Sequence, residues 1–115
     1  MSNDEVTQQH GENKMTDDDV KNRPWVALKY YADKLSAEQF DYCVCERPYV
    51  ALTHCADKLT PEQFDYCVRE CPYEALRNYA DKLTSKQFNF CVREYPATAL
   101  LYCAAKLTEK QKKIL

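Results

Sequence analysis

Apolar and polar positions recur along this chain with a period of 24 residues, in a register set by prolines at 24, 48, 72 and 96. Aligned on them, the chain reads PWVALKYYADKLSAEQFDYCVCER, PYVALTHCADKLTPEQFDYCVREC and PYEALRNYADKLTSKQFNFCVREY, then the shorter PATALLYCAAKLTEKQKKIL. Self-similarity without gaps at this period is the signature of a stacked-repeat array. Within each unit the apolar residues are spaced for two short helices. Ala75, Leu76, Tyr79, Ala80 and Leu83 form one stripe in the third unit, at i, i+3/i+4 and i+7 spacing. Phe88, Cys91 and Val92 form the second, repeating Phe40, Cys43, Val44 and Phe64, Cys67, Val68.

Start and stop signals agree with this division. Each proline suits the first helical position, because its missing N–H has no intrahelical partner there. Ser36, Thr60, Thr84 and Thr108 each precede a glutamine by three residues, the spacing of a capping box. The first helix of unit three is expected to run to about Leu83, and the next proline closes the second helix. Helices this short are marginal alone, and stacking buries their stripes. The predicted fold is therefore all-α: a short α/α solenoid of tandem 24-residue helix-turn-helix repeats with capping helices. Residues 16–115 form one helical-repeat domain, with units 24–47, 48–71, 72–95 and 96–115. Residues 16–23 read as an N-terminal half-repeat, since Thr16 and Asp19 keep the capping spacing and Val20 is in register with Val44. Residues 1–15 are polar and patternless, and disorder is expected for them.

Composition narrows the function classes. A single glycine argues against a hairpin-rich β fold and removes any Gly-rich phosphate loop. No apolar stretch is long enough for a membrane span or a signal peptide. Seven cysteines, an odd number, point to free thiols in a reducing cytoplasm. Formal charge runs from −3 over residues 1–23 to +3 over 96–115. Direct nucleic-acid binding is disfavoured by a pI of about 5.7.

The candidate chemistry is thin. No nucleophile, base and orienting group recur together, so the protein is expected not to be an enzyme. Cys43, Cys67 and Cys91 share a core column, as do Cys55 and Cys103. Cys45 and Cys71 fall in variable columns, and the spacing supports no metal site and no cofactor. The aromatics are more suggestive. Trp25, Tyr49 and Tyr73 follow the prolines, and Tyr42, Tyr66 and Phe90 lie two residues beyond the core phenylalanines. The second set points off the buried stripe, with Asp41, Asp65 and Asn89 on one side and Cys45, Arg69 and Arg93 on the other. Tyrosine and arginine beside carboxylates is the mix found at interface hot spots. The expected partner-binding ridge is Asp41, Tyr42, Cys45, Asp65, Tyr66, Arg69, Asn89, Phe90 and Arg93. Its alternative is that these rings pack between units.

The motif Y-A-D-K-L-T-P-E-Q-F-D-Y-C-V-R-E-C-P-Y-E-A-L resembles tandem repeats of uncharacterised bacterial and phage proteins that run A-L-x-Y-A-A-D-x-L-T-P-E-Q-F-D-x-C-V-R. The likeness covers about residues 24–110. In period the chain is also similar to leucine-rich repeat variant solenoids, without the cysteine cluster that holds iron and sulfur in that family. The resemblance implies a helical solenoid of bacterial or phage origin and brings no catalytic residues. The function expected is a non-enzymatic protein–protein interaction module. Its narrower form is a phage-encoded inhibitor of a host defence complex, like an anti-CRISPR protein. In that form the acidic columns Asp33/Asp57/Asp81, Asp41/Asp65 and Glu46/Glu70/Glu94 would mimic nucleic acid before a nucleic-acid-binding complex. The alternatives are a self-assembling structural repeat protein, a homo-oligomer held by the charge gradient, and a thiol- or metal-dependent protein.

Overall fold

The computed structural model describes residues 15–113. Among these, short helices follow one another without a strand. They are α1 (Asp17–Asn22), α2 (Pro24–Tyr31), α3 (Ala37–Glu46), α4 (Pro48–Cys55), α5 (Pro61–Glu70), α6 (Pro72–Tyr79), α7 (Ser85–Glu94), α8 (Pro96–Cys103) and α9 (Glu109–Lys113). Even-numbered helices open the four units. Odd-numbered ones form a second layer that begins with the half-repeat α1. The result is a rod of 58 × 22 × 18 Å.

One residue makes the elbow between layers. The Arg47 N–H closes α3 on the carbonyl of Cys43 at 2.8 Å, and the Arg47 carbonyl accepts the N–H of Ala51 at 3.0 Å to open α4. Pro48 then stands at the first helical position, where its lost donor costs nothing. Arg23, Cys71 and Tyr95 repeat the arrangement. The first helix ends earlier than its apolar spacing suggests. In unit three the α-helix stops at Tyr79, and Ala80–Lys82 tighten into a 3₁₀ turn. Leu83 is extended, and its N–H returns to the Ala80 carbonyl. The i, i+4 pattern continues through Leu83 because the 3₁₀ turn keeps that side chain pointed inward.

The second helices begin as their capping residues predict. Ser36 Oγ accepts the N–H of Gln39, and Gln39 Oε1 accepts the N–H of Ser36. Thr60 with Gln63 and Thr84 with Gln87 do the same. Thr16 with Asp19 repeats this in α1.

The core is a file of identical columns. Ala27, Ala51, Ala75 and Ala99 are fully buried, as are Leu28, Leu52 and Leu76. Cys43, Cys67, Cys91 and Val44, Val68, Val92 fill the other side. Alanine lets the two layers approach, and leucine and valine fill the space between them. Val20 of α1 is buried in the same file, so the half-repeat covers the first unit. The leader expected over residues 1–15 lies outside the described residues except for Met15. That side chain is buried in the core cluster, and its carbonyl accepts from Gln39 Nε2 at 3.3 Å.

Candidate binding surfaces

Two inter-unit ladders fix what the surface can display. In the second-helix layer each capping glutamine reaches back to the helix before it. Gln39 Nε2 donates to Asp17 at 2.9 Å, Gln63 to Asp41 at 3.1 Å, Gln87 to Asp65 at 3.0 Å and Gln111 to Asn89 at 2.6 Å. At the 3₁₀ turns each lysine pairs with the aspartate of the unit before it: Lys58 with Asp33, Lys82 with Asp57 and Lys106 with Asp81. Lys58 and Lys106, hydrogen-bonded to Asp33 and Asp81, hold those carboxyls below the usual carboxylate range. The aspartates in turn raise both lysines. Asp33, Asp57 and Asp81 are thus a neutralised row. Of the regular acidic columns, Glu46, Glu70 and Glu94, exposed at the ends of the second helices, take part in neither ladder.

The ridge expected on the second helices is continuous, but it is partly spent on holding units together. Asp41, Asp65 and Asn89 are the acceptors of the glutamine ladder. The Gln87 amide, and then Arg69 at 2.9 Å, keep the Asp65 carboxyl below its ordinary value. Arg69 also lies over the Phe90 ring, 5.2 Å from its centroid. The Tyr66 hydroxyl donates to the Cys45 carbonyl at 3.2 Å, and desolvation pushes its pKa up. Tyr42 and Phe90 are half-buried between helices, while Cys45, Arg69 and Arg93 face outward. Arg93 lines a shallow groove with Asn89 and Gln111, and Tyr42 lines one with Asp17 and Gln39. Asp65, Arg69 and Phe90 are brought into one cluster, whereas Tyr42 and Arg93 lie in separate grooves.

A second aromatic row runs along the elbows, and all four of its rings are exposed. Trp25 is 46% exposed, Tyr49 54% and Tyr73 40%. Tyr95, itself an elbow residue, is 41% exposed and meets Tyr73 edge to face at 6.0 Å. Arg23 and Arg47, also exposed, sit at the elbows beside Trp25 and Tyr49. These rings are exposed because a residue just after the elbow proline lies outside both buried stripes. The alignment marks this column. Of the second-helix aromatics, two residues off their own stripe, Tyr66 is 37% exposed, whereas Tyr42 and Phe90 are half-buried between units, the alternative given for them. Sequence reasoning also missed the exposed end of α8, where Leu101 and Tyr102 replace Arg77 and Asn78 of the preceding unit.

The thiols fall into two groups. Cys43, Cys55, Cys67, Cys91 and Cys103 are buried, Cys71 is half-buried and Cys45 is exposed. Burial pushes Cys67 up to about 12, and Cys43 and Cys91 to about 11. Cys45 and Cys71 are also raised, by desolvation first and nearby carboxylates after it. A nucleophilic thiol needs the opposite shift. Among the described residues no three His, Cys, Asp or Glu side chains are grouped to hold a metal ion. No described helix is long and apolar enough to cross a membrane.

No family model, curated protein or solved structure matches this chain.

Proposed function

We propose that this array is a protein-binding module that engages its partner through the elbow row Trp25, Tyr49, Tyr73 and Tyr95. The observation that carries this reading is the exposure of four large rings along one rod, interleaved with Arg23 and Arg47. Aromatic and arginine side chains supply most of the energy at protein interfaces. The ladders hold neighbouring units in register, which lowers the ordering cost of binding. The second-helix ridge offers Cys45, Tyr66, Arg69 and Arg93 as the alternative contact. Two double variants separate the faces in affinity capture from bacterial lysate. Tyr49→Ser with Tyr73→Ser releases a protein that the parent retains, and Tyr66→Ser with Arg69→Ser does not. The reverse result moves the site to the ridge, and retention by both sets refutes both sites.

A narrower reading makes that partner a nucleic-acid-binding complex, bound through phosphate-like acidic groups. Glu46, Glu70 and Glu94 support it, since they are exposed at a regular 24-residue interval. DNA added to the captured complex then competes with the protein, and Glu46→Gln, Glu70→Gln and Glu94→Gln together remove the competition. A captured complex that DNA does not displace excludes this form. Neither reading requires catalysis or a cofactor.

A further inference from the structure

The four units are not joined by equivalent seams. In the first-helix layer α2 packs closely on α4, and α6 on α8, whereas α4 and α6 make few contacts. The buried core divides close by, within α5, and Tyr79 of α6 packs against the first cluster. One cluster holds Leu28, Leu52, Cys55 and Cys67, and the other holds Val68, Leu76, Cys91 and Cys103. Pro24 and Pro72, which open the leading unit at the two close seams, are buried, while Pro48 at the middle seam is only half-buried. The ion-pair ladder follows suit. Lys82 stands 3.2 Å from Asp57 across the middle seam, and Lys106 stands 2.6 Å from Asp81 across the last.

The cause lies in one alternating column, which reads Tyr31, Cys55, Tyr79, Cys103. At the close seams a thiol meets the carbonyl of the preceding unit's leucine. Cys55 Sγ lies 3.3 Å from the Leu28 oxygen, and Cys103 Sγ lies 3.4 Å from that of Leu76. At the middle seam the same carbonyl, of Leu52, accepts a hydrogen bond from the Tyr79 hydroxyl at 2.5 Å. A phenol ring is several ångströms longer than a thiol, so it holds the two helices apart. Half-buried Glu74 adds to this, standing where Val50 and Thr98 stand in the neighbouring units. The second-helix layer, by contrast, runs unbroken through the seam. There α5 packs on α7, Phe64 touches both core clusters, and Gln87 and Arg69 tie the two helices.

We infer that the rod is two rigid two-unit blocks hinged between α4 and α6. The α5–α7 contact forms the spine, and the Tyr79 hydroxyl is the latch on the opening side. The hinge lies between Tyr49 and Tyr73, so opening it changes the separation of those two rings while Trp25 and Tyr49 stay within one block. It stands whether or not the elbow row is the binding face, because it depends only on packing. In a linear array, units couple through nearest-neighbour interfaces, and a weak interface lets the two sides open separately.

Amide hydrogen exchange of the full chain, followed by mass spectrometry across low urea concentrations, tests it. Residues 15–70 and 72–113 are expected to exchange as two groups with different urea dependence. Glu74→Val with Tyr79→Cys copies the Val50 and Cys55 pair of a close seam, and is expected to merge the groups into one. Tyr79→Phe keeps the ring and removes only the latch. It is expected to speed exchange throughout both groups, α4 and α6 included, by about tenfold, the worth of one net hydrogen bond, and to leave the groups distinct. A parent protein whose protected amides all share one urea dependence overturns the hinge. Tyr79→Phe with unaltered exchange in α4 and α6 overturns the latch.

Discussion

Gln87 and Asp65 join two helices through a side chain that is already caught in a cap. The Oε1 atom of Gln87 accepts the N–H of Thr84 at 2.9 Å, and its Nε2 group donates to Asp65 at 3.0 Å. One amide therefore starts a helix and fixes the spacing to the preceding one. This double use explains why the column is glutamine rather than glutamate, which caps a helix equally well.

The two roles come apart on substitution. Gln87→Glu keeps the cap acceptor, but sets a second carboxylate against Asp65. It is expected to lower unfolding free energy by about 1–3 kcal/mol in urea titration, since the donor is lost at a nearly buried site. Gln111→Glu faces Asn89, whose amide can turn to donate, so it is expected to be nearly neutral. Equal losses at both positions would mean that the ladder adds nothing beyond the caps.

Position along the rod decides the cost of an identical core change. Leu28, Leu52 and Leu76 are at most 1% exposed, whereas Leu100 in the same column is 46% exposed on the last described unit. Leu52→Ala is expected to cost roughly 2–5 kcal/mol through lost transfer energy and a residual cavity. Leu100→Ala is expected to cost less than about 1 kcal/mol. Urea midpoints of the two variants give the comparison. Similar losses would show that Leu100 is covered in solution.

Alkali is expected to unfold the rod through its core thiols. Cys43, Cys67 and Cys91 are raised by burial from 9.0 to about 11, about 12 and about 11. The folded state binds these protons more tightly, so the stabilisation is full below pH 9. It is lost as pH rises from 9 towards 11–12. Each thiol that ionises only on unfolding adds a slope of about 1.4 kcal/mol per pH unit. Cys67→Ala costs stability at every pH but flattens that slope. The check is urea unfolding at several pH values between 8 and 11, and identical slopes for parent and variant would contradict the assignment.

Thiol labelling reads the same burial differently. Cys45 is expected to react with an aromatic disulfide reagent at once and Cys71 more slowly. The five buried thiols should wait for unfolding. Fast reaction of more than two thiols in the folded protein would contradict the core described above.

Most of the architecture was legible before the structure. The proline period, the Ser/Thr-to-Gln spacing and the two apolar stripes located each unit. Val20 at its repeat register marked the half-repeat α1. The apolar spacing of unit three predicts a first helix to Leu83, but a 3₁₀ turn preserves the inward direction while the α-helix ends at Tyr79. The site was harder to read. A position two residues off a stripe predicts exposure on an isolated helix. A neighbouring unit changes that for Phe90, half-buried beside Arg69, while Tyr66 stays exposed with its hydroxyl bonded to Cys45. The alternation of tyrosine and cysteine at positions 31, 55, 79 and 103 was visible, but its effect on spacing depends on which carbonyl each side chain meets.

Trp25, the one tryptophan of the chain, stands in the elbow row and reports on it directly. The most direct measurement is its fluorescence during titration with the partner that the elbow variants fail to capture. The emission is expected to shift to shorter wavelength and saturate with binding, as the exposed indole leaves water. A partner that binds to saturation while the emission stays unchanged would place recognition elsewhere on the rod.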